Sequence, residues 1–215
     1  MSQHTLTLLR FTYKKLKENL TVSDSKKLFH EQFPYVIPGL YKRIVDEMLV
    51  ELNLLNHQNE FKKDYLFCIG LTETFKQLTK GYKPEKHLEL LFGSLCSSTN
   101  FEAQEIKSIS KKFQEEFNDK SYKDLLKLLK EKSNTKIYQS RMLNLGVYIL
   151  ISNAKDFKEE NEAEMNNIIS DIFENLNLST NKAEKDIGIY KSSISKMEQA
   201  KELIEELKVK DKKKN

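Results

Sequence analysis

Six glycines and three prolines are all the backbone breakers in this 215-residue chain. An average chain draws roughly 12% of its residues from these two types. Sandwiches and barrels reverse direction every few residues and need breakers to do so, which nearly excludes an all-β fold. Collagen-like and Gly/Ser-linker architectures fall with it. Charged residues make up 32% of the chain, but the abundance of Leu, Ile, Phe and Tyr argues against wholesale disorder. The fold class predicted is all-α: a multi-helix globular bundle with a long, projecting, coiled-coil-like C-terminal helix.

Hydrophobic spacing places the helices. Ser23 and Asp24 are N-cap residues that open a first helix ending near Phe33-Pro34. Pro38 stands at the start of a second. There Leu40, Tyr41, Ile44, Val45, Met48, Leu49, Leu52 and Leu55 recur at helical intervals, and Lys42, Arg43, Asp46, Glu47 and Glu51 fall mainly opposite. A third runs from about Lys63 to Lys80 with Gly81 as its C′ cap, and Pro84 begins a fourth. Further helices are expected near 101–117, 122–132 and 137–152. The last is apolar nearly all round, so it is predicted to be the buried central helix. After a polar loop at 153–161 comes a short helix carrying Met165, Ile168, Ile169, Ile172 and Phe173.

The tail differs in kind. Ser179 or Thr180 caps a helix that continues to about Lys210. Its apolar positions (Ile187, Tyr190, Ile194, Met197, Ala200, Ile204 and Leu207) are spaced close to a heptad seam. So narrow a stripe is predicted to project and to pair with a partner. The domain expectation is a poorly ordered basic segment at 1–21, a helical bundle at 22–178, the projecting helix at 179–210 and a basic tail at 211–215.

Net charge is +4, from 36 basic and 32 acidic residues, a mixed surface without a nucleic-acid-binding balance. Cys68 and Cys96 lie in apolar stretches and read as reduced core thiols. The longest apolar run, Leu145 to Ile151, is far short of the roughly 20 residues that span a bilayer. Near the start, Leu8-Leu9 is followed at once by Arg10, so no secretory apolar core forms; Met1 to Leu20 has some transit-peptide character but is short for one, and reads rather as a frayed basic helix or a misplaced start.

No catalytic, metal or cofactor residue emerges. The glycines are scattered singly, so there is no phosphate-cradling loop. His30-Glu31 opens like a zinc-protease motif, but Pro34 stands where the second His is needed; His4, His57 and His87 are dispersed. Asp46, Glu47 and Glu51 beside Lys42 and Arg43 read as an ion-pair face, and Arg43 and Glu47 are spaced as an i,i+4 pair. Phe67, Phe75, Tyr82 and Phe92 read as core, and neither nucleic acid nor a small-molecule substrate is expected. The terminal Lys208, Lys210, Lys212, Lys213 and Lys214 form either a solvated end or a weak attractor for an anionic membrane surface, at roughly 1 kcal/mol per near-surface Lys.

Several ordered blocks carry a resemblance. They are Val22-Ser23-Asp24-Ser25-Lys26, Val45 through Leu55, Gly81-Tyr82-Lys83-Pro84-Glu85 and Leu95-Cys96. Later come Tyr138-Gln139-Ser140-Arg141 with Gly146, and Ala183-Glu184-Lys185-Asp186-Ile187 with Tyr190-Lys191-Ser192 and Met197. Together they resemble the thylakoid formation family, also called the photosystem II biogenesis family, of cyanobacteria and chloroplasts. The similarity covers roughly Val22 to Leu207 and is poor from Phe101 to Lys132. Many members carry His where this chain has Asn53.

The resemblance implies a non-enzymatic, all-helical accessory protein without cofactors that acts in thylakoid biogenesis and photosystem II assembly and repair. Its implied partners are the thylakoid FtsH protease complex, which it supports, and the photosystem II assembly and repair machinery. Its implied place is peripheral, on the cytoplasmic side of a cyanobacterial thylakoid rather than in a chloroplast stroma. Partner docking is expected through Ile187, Tyr190, Ile194, Met197 and Ile204 with Arg43, Glu47 and Glu51, and membrane-surface contact through the five terminal lysines. The alternative is a membrane-organising helical protein that binds anionic surfaces without a protease partner.

Overall fold

A computed structural model describes residues 20–132, 137–156 and 162–214, with side chains described for all of these except 162–164 and 208–214. Among the described residues the regular structure is wholly helical. The elements are α1 (Val22–Gln32), α2 (Gly39–Asn56), α3 (Tyr65–Leu78), a 3-10 turn (Glu85–His87), α4 (Leu88–Ser97), α5 (Ala103–Phe117), α6 (Tyr122–Lys132), α7 (Arg141–Ser152), α8 (Glu162–Asn175) and α9 (Thr180–Lys214). The all-α class and the long C-terminal helix agree with the sequence expectation.

Backbone contacts divide the chain into two compact units. One holds the residues up to Phe61 together with Gly81–Ile106; the other holds Lys62–Lys80 and the chain from Lys107 onward. Spacing along the sequence carries no sign of this interleaving, because each unit is assembled from separated stretches.

In the first unit α1, α2 and α4 pack on one another. α1 is capped by Thr21, not by Ser23 or Asp24. The Asp24 N–H donates to Thr21 Oγ1 at 3.2 Å, and the Thr21 N–H donates to Asp24 Oδ2 at 3.0 Å. Asp24 is thus the N3 partner of a capping box, and its hydrogen bonds from Thr21 hold its carboxyl below the usual range. The predicted apolar face of α2 buries Tyr41, Val45, Met48, Leu49, Leu52 and Leu55 against Phe29, Phe33, Leu91, Phe92 and Leu95 of the same core. Asn53 is buried on that face with both amide protons used, donating to Ser25 Oγ and to the Leu20 carbonyl, each at 2.8 Å. Two of the blocks that carry the family resemblance therefore meet at one buried amide.

In the second unit α7 is central, as its all-round apolarity predicts. Every residue from Met142 to Ile151 is buried, and the helix starts at Arg141 behind the cap Ser140. α3 crosses it in the most extensive helix contact among the described residues. α3 is shorter than expected, because Asp64 caps its start and Thr79 its end. Gly81, at φ 85°, lies two residues beyond Thr79 in the left-handed region. α9 packs on α7, α8 and α3.

Candidate functional site

A polar lock holds the start of α9. Asn144, fully buried on α7, donates from Nδ2 to Asp186 Oδ2 of α9 at 2.7 Å. Gln139 donates from Nε2 to Asn144 Oδ1 at 3.0 Å and to the Ser179 carbonyl at 2.8 Å, and its own Oε1 accepts from the Ser179 N–H at 2.8 Å. Lys182 Nζ donates to the Gln139 carbonyl. Both amide side chains are used from two sides, which fixes their rotamers and the angle at which α9 leaves Ser179. The late resemblance blocks around Gln139 and Asp186 come together here, although some forty residues separate them in the chain.

The lock directs the apolar stripe of α9 inward. Ile187, Tyr190 and Met197 are buried at 4%, 6% and 6% exposure. The Tyr190 ring meets Tyr148 of α7 edge-on at 6.2 Å, and burial first, then Tyr148 and Glu73 nearby, push its hydroxyl up to about 12. The sequence reading had these three side chains facing a partner; they are taken up by the chain's own core. The physical reason is α7, whose apolar surface runs all round and needs cover on more than the side that α3 occupies. Ile194 is half-buried.

The stripe becomes accessible only after Lys201. Residues 202–207 are exposed, with Leu203 at 58%, Ile204 at 41% and Leu207 at 52%. With Ala200 they form an i, i+3, i+4, i+7 patch, a spacing that places all four on one helix face. Ile204 belongs to the predicted docking set. Leu207 lies on the predicted stripe but outside that set, and Leu203 on neither, though the same spacing could have found it. The side chains of Lys208, Lys210, Lys212, Lys213 and Lys214 lie outside the described residues.

Arg43, Glu47 and Glu51 belong to α2 in the first unit. The Arg43 Nε donates to Glu47 Oε1 at 2.8 Å between exposed side chains, and this bond raises the guanidinium above its ordinary value. Glu51 is half-buried. An exposed pair of this kind is screened by solvent and contributes little to stability.

Among the described residues no group of three or more His, Cys, Asp or Glu side chains converges where a metal ion could be held. Cys68 and Cys96 are buried and in no disulfide. A polar hollow of about 660 Å³ in the second unit is lined by Glu73, Ser110 and Gln114 among others. Its polar groups engage one another: Gln114 Nε2 donates to Glu73 Oε1 at 3.2 Å and to Ser110 Oγ at 2.8 Å. No described helix is long and apolar enough to cross a membrane. What this arrangement offers is surface for contact: a locked helix whose far part carries an exposed apolar patch.

Comparison with known proteins agrees with the blocks. The family model described as thylakoid formation protein matches residues 21–215. A Protein Thf1 of Prochlorococcus marinus (strain MIT 9312) is 81% identical over 199 residues, covering 93% of this chain and 99% of the relative. A Protein Thf1 of Prochlorococcus marinus subsp. pastoris is 72% identical, covering 92% of this chain and 98% of the relative. Among solved structures, one of Psb29 superposes with a TM-score of 0.81 at 25% identity, covering 91% of this chain and 98% of that one.

Proposed function

The chain belongs to the thylakoid formation protein family, and on that premise we propose that it is a non-enzymatic accessory factor for thylakoid biogenesis and photosystem II assembly and repair. It acts as an adaptor that supports the membrane-anchored FtsH protease complex, and it sits peripherally on the cytoplasmic face of the thylakoid. The observation that carries the adaptor reading is the exposed patch of Leu203, Ile204 and Leu207 on a helix whose preceding turns are locked into the core. A rigidly held helix presents such a patch at little entropic cost, which favours binding.

The burial of Ile187, Tyr190 and Met197 decides how to test this. Removing α9 from residue 179 strips the core of the second unit, so loss of binding in that truncation says nothing about docking. Replacing Leu203, Ile204 and Leu207 together by Ser leaves the core intact. Affinity purification from cyanobacterial thylakoid membranes with the full chain is expected to recover the protease complex, and the triple variant is expected to lose it. Full recovery by the triple variant, with its helicity unchanged, removes the docking role from this patch.

A further inference from the structure

The loop between α1 and α2, Phe33-Pro34-Tyr35-Val36-Ile37-Pro38, exposes its apolar residues to an unusual degree. Val36 is 93% exposed and Tyr35 46%, whereas Phe33 at the base of the loop is 1% exposed. The base is an aromatic stack. Phe33 lies on Phe29 at 5.8 Å, Tyr35 meets Phe33 edge-on at 5.4 Å, and the Tyr35 ring lies flat on His87 at 3.9 Å. Pro34 and Pro38 narrow the backbone freedom at both ends of the tip. The loop is therefore built to hold Val36 out in solvent, and nothing among the described residues of the first unit repays that exposure.

Charges of both signs surround the tip, Asp46 lining its groove among them, and the unpaired ones are mainly lysines. His30 and Lys42 line the same open groove of about 370 Å³ as Tyr35, Val36 and Ile37. Lys86 is exposed and adjoins His87, the residue under Tyr35. Neither Lys42 nor Lys86 makes an ion pair among the described residues. The nearby acids are mostly engaged: Asp46 pairs with Lys26 at 3.5 Å, Glu85 with Lys83 and Glu47 with Arg43. Glu31, exposed on the last turn of α1, opposes the lysines.

We infer that the Pro34–Pro38 loop is the lipid-contact element of this protein, with Val36 and Tyr35 entering the interfacial layer of an anionic membrane and Lys42 and Lys86 meeting its headgroups. A protein partner requires a complementary shape around the most exposed residue. A lipid surface requires only a projecting apolar group, an amphipathic aromatic at headgroup level and positive charge around them, and the loop supplies all three. Affinity from one inserted tip and a few lysines is modest and reversible. The inference rests on the peripheral-membrane part of the proposed function and places that contact on the first unit, where the sequence reading had it on the terminal lysines.

The chain contains no tryptophan, so Val36→Trp in the full-length protein supplies a single fluorescent reporter. Vesicles of phosphatidylcholine with phosphatidylglycerol are expected to shift its emission to the blue, and brominated acyl chains to quench it. Val36→Asp is expected to weaken vesicle binding by roughly tenfold, with an unchanged unfolding midpoint because the residue is 93% exposed. Suppose the unaltered chain floats with these vesicles while the Val36→Trp emission stays put and Val36→Asp binds as before. The loop assignment then fails, and peripheral binding stands. If the unaltered chain floats with no vesicle, both readings fail. If Val36→Asp abolishes capture of a protein from thylakoids but leaves flotation intact, the tip is a protein interface and the inference is overturned.

Discussion

Gly70 on α3 and Gly146 on α7 lie against each other's helix backbone. A Cβ added to Gly70 would stand 1.7 Å from the Met142 carbonyl oxygen, and one added to Gly146 would stand 2.0 Å from the Leu66 carbonyl oxygen. Both obstacles are backbone atoms, which no rotamer change can move aside. This contact lets α3 and α7 approach closely enough to bury nine of the fourteen residues of α3 and ten of the twelve of α7.

Gly70→Ala and Gly146→Ala are each expected to destabilise the protein by about 3 kcal/mol or more, since the helices must separate and the packing around them opens. The double variant should cost clearly less than the sum, because the first methyl has already parted the crossing. Gly188→Ala is the control. A Cβ there meets nothing within 4 Å, so helix propensity alone acts and the change is expected to stabilise by up to about 1 kcal/mol. Urea unfolding of the four variants measures all of this, and equal effects at the three positions would refute the close-approach argument.

Asn144→Ala removes the centre of the lock on α9 and leaves Gln139 and Asp186 short of a partner. A cost of about 1 kcal/mol is expected, since Gln139 and Asp186 are half-buried and water can replace part of what they lose. The backbone amides of α9 between Ala183 and Met197 should exchange with solvent faster, while those of α1 and α2 in the first unit should not change. Unaltered exchange along α9 would show that its apolar stripe suffices to hold it.

Asp64 gives stability a pH dependence of unusual sign. Burial pushes its carboxyl from 3.8 to about 6, against the pull of hydrogen bonds from the Phe67 and Leu66 N–H groups. The folded state therefore holds a proton that the unfolded chain has released, so this residue's contribution is greatest below about pH 4 and is lost as pH rises toward 6, by at most about 3 kcal/mol. Asp24, Glu85 and Asp124 have lowered values and act in the opposite direction, so the comparison must be with the parent protein. Asp64→Asn keeps an N-cap acceptor and should gain stability relative to the parent as pH rises from about 4 to 7. A constant difference between the two proteins over that range would rule the shift out.

Part of this architecture is legible without coordinates. α7 announces itself as central because no face of it is polar, and α2 because its apolar residues hold one helical face. Thr21 is less legible. Ser23 and Asp24 are equally good caps by residue type, and only the reciprocal bond between Thr21 and Asp24 distinguishes the box from its alternatives. The lock of Gln139, Asn144 and Asp186 is not legible: Gln139 and Asp186 pass for surface polar groups, and nothing local says what the Asn144 of a buried helix bonds to. Val36 is likewise one more Val in an apolar stretch until its exposure is seen.

The sequence by itself determined that the chain is helical, roughly where each helix runs, and to which family it belongs, because breaker content, side-chain period and block order are all local or linear properties. Tertiary structure decided which apolar stripes are consumed internally and which remain for a partner. The stripe of α9 continues to Ile204 and Leu207 with the same spacing throughout, yet Ile187, Tyr190 and Met197 are covered and residues 202–207 are not. Burial depends on a second surface at the right distance. That surface is α7, drawn close to α3 by Gly70 and Gly146 and tied to α9 by Asn144, and no property of the α9 sequence records where it ends.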